Sequence, residues 1–90
     1  NNNLENFDSF LFNGIENSLE TLILTNNMIK NLKKYYFIGL VRIKILKIAN
    51  NKISSIESNT FLTLTNLEEL DLKNNFLFEI KADLFKDNIL

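Results

Sequence analysis

The sequence predicts an α/β solenoid, a stack of short parallel strands joined by irregular or short helical segments, and three observations lead to this prediction. A motif of alternating apolar residues followed by asparagine recurs every 24 residues, and a fixed period of about 20–50 residues indicates stacked repeats. Hydrophobic residues make up 46% of the chain and charged residues 23%, as in an ordinary folded protein. The 90 residues suffice for about one domain.

Each unit begins with a predicted strand. Three segments keep every apolar position at the 24-residue offset: Leu19-x-x-Leu22-x-Leu24-x-x-Asn27-x-Ile29, Ile43-x-x-Leu46-x-Ile48-x-x-Asn51-x-Ile53 and Leu67-x-x-Leu70-x-Leu72-x-x-Asn75-x-Leu77. Alternating apolar residues are typical of a strand with one face buried. Stacked units bury these faces against their neighbours, so the strands should form a parallel sheet.

The repeats are predicted to divide the chain into one array over residues 1–90. Full repeats cover 19–42, 43–66 and 67–90, and a partial repeat covers 1–18. The partial repeat fits at an offset of 25, with the extra residue in Glu16-Asn17-Ser18, and it lacks its opening strand. We therefore expect the chain to be a piece of a longer array.

An asparagine follows each strand where the chain must turn away from the sheet. Asn27, Asn51 and Asn75 occupy this position, and a carboxamide has both donors and an acceptor for turn backbone. We expect a column of these side chains that bridges adjacent units. The preceding Asn26, Asn50 and Asn74 repeat as well, and compositional bias or turn preference explains them equally well.

Phenylalanines form a second predicted column, in the core beneath the convex side: Phe12, Phe37, Phe61 and Phe85. Gly14 and Gly39 each lie two residues after one of these rings. We expect the glycines to relax the backbone there.

The pattern resembles the leucine-rich repeat, whose signature is L-x-x-L-x-L-x-x-N-x-L. The unit length and the phenylalanine resemble the 24-residue "typical" subclass of Toll-type receptors and other extracellular or cell-surface proteins. This resemblance, which covers essentially the whole chain, implies a right-handed β-α superhelix. Its short parallel strands would line the concave face, and its convex segments would be 3₁₀, irregular or short helical.

Catalysis is not expected. The chain has no cysteine and no histidine, which removes common nucleophiles, bases and metal ligands, so we predict no catalytic residue, cofactor or metal site. A net charge of −1 gives no electrostatic case for nucleic acid or anionic lipid. Lys33-Lys34-Tyr35-Tyr36 mixes basic and aromatic residues, but no other unit repeats it, and we do not assign it to nucleic acid.

The exposed strand positions are the candidate site, and two interpretations of them stay open. In the first, charges in neighbouring strands simply pair, Lys44 with Glu20 and Glu68, and Lys47 with Asp71. In the second, part of the face is a protein-contact patch, which comprises Ile23, Ile45, Lys47, Glu69 and Asp71. Isoleucines are the least expected residues on a solvated strand face.

The leading functional hypothesis is a non-enzymatic recognition module that binds a protein through the concave sheet. The resemblance places it in the ectodomain of a larger receptor or adhesion protein, extracellular or at the cell surface, with any membrane anchor outside this segment. The chain has no apolar run near the ~20 residues that cross a bilayer. The alternatives are a cytoplasmic leucine-rich-repeat scaffold and the targeting module of a larger enzyme.

Overall fold

A computed structural model describes residues 3–77 of the chain as a series of short strands and 3₁₀ helices. The strands are β1 (Thr21–Ile23), β2 (Asn31–Leu32), β3 (Ile45–Lys47), β4 (Ser55–Ile56) and β5 (Glu69–Asp71). The 3₁₀ helices cover Ser9–Phe12 and Lys34–Phe37. Strands β1, β3 and β5 form one parallel sheet in that order, and β2 and β4 form a second. The prediction of short parallel strands is confirmed for the described residues.

The register of the larger sheet follows the sequence period. Leu22 is opposite Leu46, and Leu46 is opposite Leu70, each pair 24 residues apart. Leu22 and Leu46 are buried and Leu70 is half-buried, while the flanking strand residues are more exposed in β1 and β3. A register shift of one residue would reverse this pattern, so burial of the leucines fixes the pairing.

The second sheet was not predicted. Asn31 pairs with Ser55 and Leu32 with Ile56, and the Ser55 hydroxyl also donates to the Asn31 side-chain carbonyl. The repeated apolar pair Leu32 and Ile56 is visible in the sequence, but two residues are too few to show the alternation that identifies a strand.

The core lies between the larger sheet and the segments that return to it, residues 5–18, 29–42 and 53–66, which we call the back segments. Phe12, Phe37 and Phe61 are buried, and the rings of Phe37 and Phe61 stack with centroids 6.1 Å apart. Phe85 lies outside the described residues. Tyr36 adds a buried ring that the sequence analysis did not place in the core, stacked on Phe7 at 4.1 Å.

The back segments contain 3₁₀ helices and turns, and no α-helix occurs within residues 3–77. Asp8 caps the first 3₁₀ helix through its side chain, which accepts from Phe10 N at 2.9 Å. We number the partial repeat 1–18 as the first, so 19–42 is the second repeat and 43–66 the third. Glu57 of the third repeat accepts from Lys34 N at 2.8 Å and so stabilises the first turn of the 3₁₀ helix in the second repeat. Gly14 and Gly39 have φ of 93° and 88°, a conformation that favours glycine.

The first repeat accommodates one extra residue in its last turn. Leu19 N donates to Ile15 O, four residues earlier, at 3.0 Å, whereas Ile43 N donates to Leu40 O, three residues earlier, at 3.4 Å. The turn at Glu16-Asn17-Ser18 is thus one residue wider than its counterpart. The division into repeats stays a prediction, and the last predicted repeat, 67–90, extends beyond the described residues.

Candidate protein-contact face

The asparagines after the strands join neighbouring turns in one repeated arrangement. Asn51 Nδ2 donates to Leu24 O of the previous repeat at 3.0 Å and to Ile48 O and Ala49 O of its own repeat at 3.2 and 3.1 Å. Its Oδ1 accepts from Ile29 N at 3.1 Å. A buried carboxamide that bonds two turns at once holds the strand ends of adjacent repeats in place.

The same bonds recur on both sides. Asn75 Nδ2 donates to Ile48 O at 3.0 Å, and its Oδ1 accepts from Ile53 N at 3.0 Å. Asn27 Nδ2 donates to Leu24 O at 2.9 Å, and its Oδ1 accepts from Leu4 N at 3.2 Å. The three side chains therefore fix the spacing of the strands that carry the candidate site.

The asparagines that precede this column have a conformational role. Asn26, Asn50 and Asn74 have φ of 62°, 56° and 58°, and asparagine tolerates this left-handed region better than most residues. Of the two explanations that the sequence left open, turn preference accounts for the geometry. Asn74 Nδ2 also donates to Asn50 Oδ1 at 2.8 Å.

Replacement of Asn26 tests this conformational role, because its side chain is exposed and makes no hydrogen bond within residues 3–77. Asn26→Val should lower the free energy of unfolding by about 1–2 kcal/mol, the cost of a left-handed residue with a Cβ. Asn26→Gly is the matched control and should change it by less than about 0.5 kcal/mol. Urea denaturation measures both, and equal midpoints would contradict the assignment.

We call the solvent-exposed side of β1, β3 and β5 the sheet face. It carries all five residues of the predicted patch together with Thr21: Ile23, Ile45, Lys47, Glu69 and Asp71. Ile23 is 61% exposed, and Ile45 is half-buried. Ile45 is covered more because β3 has a strand on each side, whereas β1 has one neighbour within the described residues.

Ion pairs on the sheet face differ from the predicted ones. Lys44 Nζ lies 3.8 Å from a Glu20 carboxylate oxygen, as predicted. Lys47 Nζ lies 3.8 Å from Glu69 Oε2. Although Asp71 is opposite Lys47 in the register, no ion pair joins the two within residues 3–77, so the predicted Lys47–Asp71 pair is wrong. Asp71 Oδ1 instead accepts from Lys73 N at 3.0 Å, which turns its carboxylate toward its own strand end. Register alone does not determine which of two nearby carboxylates a long lysine side chain reaches.

These ion pairs leave the face open to a partner. The side chains of Lys47 and Glu69 are 41% and 54% exposed, and ion pairs in solvent contribute only about 0–1 kcal/mol. Polar contact with another protein can replace them at little cost. The arrangement has an aliphatic centre at Ile23 and Ile45 with charges beside it, which is typical of protein interfaces.

Other chemistry has little support in the described part of the chain. No group of three or more carboxylate side chains there could hold a metal ion, and no helix among those residues is long and apolar enough to cross a membrane.

Tyr36 of the basic–aromatic segment Lys33-Lys34-Tyr35-Tyr36 is buried and donates to Asn6 Oδ1 at 3.4 Å. Burial raises the pKa of Tyr36, and the neighbouring Tyr35 raises it further. Because the Tyr36 ring is buried, it is not available to stack on a nucleic-acid base.

Parallel strands at a 24-residue register, joined by a column of asparagines, define a repeat protein. The family model described as leucine rich repeat matches residues 17–77 and 41–88, so the chain belongs to the leucine-rich-repeat family. Repeats of this family are generally non-catalytic protein-interaction modules. No curated protein shows significant similarity to the chain.

Proposed function

We propose that the chain recognises another protein through the sheet face and performs no catalysis. The observation that carries this proposal is the pair of isoleucines on that face. Ile23 exposes 61% of its surface, and Ile45 lies diagonally across from it on β3, because Ile45 is opposite Thr21 and Lys47 is opposite Ile23. Diagonal neighbours on adjacent strands are about 7–8 Å apart, so one apolar side chain of a partner can contact both isoleucines.

Charged residues beside the isoleucines restrict the orientation in which a partner can bind to the sheet face. Lys47 is opposite Ile23 at the end of β3, and on β5 Glu69 is opposite Ile45 and Asp71 is opposite Lys47. A partner that places an apolar side chain over Ile23 and Ile45 therefore meets charged residues beside both isoleucines. Charges at the border select the partner, and the apolar centre supplies most of the affinity.

The wider context of the array belongs to the same proposal. The 24-residue unit with its buried phenylalanines supports the "typical" subclass. We propose that the array is part of a larger solenoid, in the extracellular or cell-surface ectodomain of a receptor or adhesion protein, with the sheet face as its concave side.

Ile45→Glu tests the sheet face directly. The side chain is half-buried at the surface, so the variant should fold, while a buried carboxylate at the contact should weaken partner binding by about tenfold or more. The partner is first isolated by a photoreactive residue at position 23, then purified, and its affinity is measured by calorimetry. Ile38→Glu is the matched control, because Ile38 is 53% exposed on a back segment. Equal affinity of the Ile45→Glu variant and the parent chain would remove the sheet face from the binding site.

A further inference from the structure

Asn13-Gly14 is the single step of the sequence at which one of the 16 asparagines precedes a glycine. An asparagine side chain loses its amide when the backbone nitrogen of the following residue attacks its Cγ. A following glycine hinders this attack least, because it has no Cβ. The asparagines at the strand ends all precede larger residues, among them Met28, Lys52 and Phe76. The sequence thus contains one amide that is prone to this attack.

The structure leaves the Asn13 amide open to solvent. Asn13 and Gly14 are both exposed, and the Asn13 side chain makes no hydrogen bond within residues 3–77. Asn51 shows the opposite environment, since its side chain is 5% exposed and is bonded through both Oδ1 and Nδ2. Water and the attacking nitrogen can therefore reach the Asn13 carboxamide, whereas the Asn51 carboxamide is protected.

The backbone at Asn13 restrains the attack. Asn13 has φ −59° and ψ 126°, and Gly14 has φ 93°, the angles of a type II turn. Ile15 N closes this turn on Phe12 O at 3.0 Å. A ψ of 126° places the Gly14 nitrogen on the side of the Asn13 Cα–C bond away from Cβ, so the ring cannot close until this bond rotates. That rotation opens the turn.

Glu16 provides a second restraint. Its Oε1 accepts from Gly14 N, the attacking atom, at 2.8 Å. A hydrogen bond to a carboxylate is charge-assisted, and it stabilises the N–H group that must lose its proton during the attack. The exposed bond between Gly14 and Glu16 therefore slows the reaction without preventing it.

We propose that Asn13 is a site of spontaneous deamidation, which its turn and Glu16 slow in the folded chain. A bond forms between Gly14 N and Asn13 Cγ, the Cγ–Nδ2 bond breaks, and the amide nitrogen leaves as ammonia together with the proton from Gly14 N. The product is a five-membered succinimide. Water then adds to either ring carbonyl and opens the ring to aspartate or isoaspartate, so the net reaction consumes one water and releases one ammonia.

The modification acts on the core contact of the first repeat. In the isoaspartate product the main chain passes through Cβ and Cγ of residue 13, and this longer backbone cannot keep Ile15 N within bonding distance of Phe12 O. Phe12 is 4% exposed and packs edge-to-face on Phe7 with centroids 5.9 Å apart. Deamidation should therefore loosen the first repeat, and it leaves the residues of the sheet face unchanged. This inference is independent of the proposed function.

Peptide mass spectrometry of the full chain, incubated folded at neutral pH, measures the reaction. Aspartate and isoaspartate should accumulate at Asn13 before they accumulate at Asn17. Asn17 is the matched comparison, because it is exposed and free of side-chain hydrogen bonds within the described residues but precedes Ser18. The same chain unfolded in urea should react faster at Asn13, since the turn no longer restrains it. A folded chain that reacts equally at both asparagines, or never at Asn13, overturns the proposal.

Substitution of Glu16 tests the second restraint. Glu16→Ala should accelerate the loss of ammonia from Asn13 by about threefold to tenfold, the shift in the opening equilibrium that one exposed hydrogen bond produces. Glu5→Ala is the matched control, because it removes the same charge from an exposed residue without a hydrogen bond within residues 3–77. Its rate should equal that of the parent chain, and circular dichroism checks that both variants fold. Equal rates in the Glu16→Ala and Glu5→Ala variants would contradict the role of Glu16.

Discussion

Replacing Phe37 with alanine should lower the free energy of unfolding by about 3–5 kcal/mol, the largest loss that we expect from a single substitution. The Phe37 ring is fully buried and contacts three other rings, those of Phe7, Tyr36 and Phe61, with centroids 6.1–6.3 Å away. These rings come from three successive repeats, so the cavity would open between all of them. Domains of this size have a total stability of about 5–15 kcal/mol.

Guanidinium denaturation of the Phe37→Ala variant measures this loss. Phe76→Ala is the matched control, because Phe76 is 56% exposed and its ring makes no aromatic contact within residues 3–77. The control should lose less than about 1 kcal/mol. Similar losses in the two variants would mean that the phenylalanine column does not form the core.

The Asn51→Ala substitution should lower the free energy of unfolding by about 1–3 kcal/mol. The Asn51 side chain is 5% exposed, and its removal leaves Ile29 N without this acceptor. The carbonyls of Leu24, Ile48 and Ala49 each lose one of two donors, since Asn27 Nδ2, Asn75 Nδ2 and Asn26 N still donate to them. Unpaired buried backbone groups cost more than the lost hydrogen bonds themselves. The damage is expected in two repeats at once, because Leu24 and Ile29 belong to the repeat before Asn51.

Asn17→Ala is the control for Asn51→Ala. Asn17 is exposed in a turn, and its side chain makes no hydrogen bond within the described part of the chain. The denaturation midpoint of the control should stay at the parent value. An unchanged midpoint for Asn51→Ala would show that the asparagine column does not stabilise the stack.

The sequence predicts the framework well because every repeat solves the same packing problem. Leu22 and Leu46 must be buried in equivalent environments, and a fixed offset between them can mean only stacked, in-register strands. The hydrogen-bonding role of Asn51 is equally predictable. A turn that leaves a buried strand contains backbone groups without partners, and these need a side chain with both donors and an acceptor.

Hydrogen bonds between the back segments could not be predicted from the sequence, because each pair of repeats forms different ones. Glu57 accepts from Lys34 N, Thr63 Oγ1 donates to Phe37 O at 3.4 Å and Asn66 Nδ2 donates to Val41 O at 2.7 Å. None of these bonds has an equivalent in the previous repeat, so no period reveals them. They arise from the three-dimensional stack of two unlike segments.

The sequence predicted which residues lie on the sheet face, but it did not predict all of the ion pairs that these residues form. The alternation of β1 and β3 places Ile23 and Ile45 on the exposed side. The choice of Lys47 between Glu69 and Asp71 depends on side-chain rotamers that the pattern does not encode.

The most direct test of the central claim, that the sheet face binds a protein, is an NMR titration of the isotope-labelled chain with the purified partner. We expect the amide shifts to change along residues 20–25, 44–49 and 68–73, the three strands and their flanks, while residues 34–42 and 58–66 on the back segments stay unchanged. Shift changes confined to the back segments, with the strands unaffected, would contradict it.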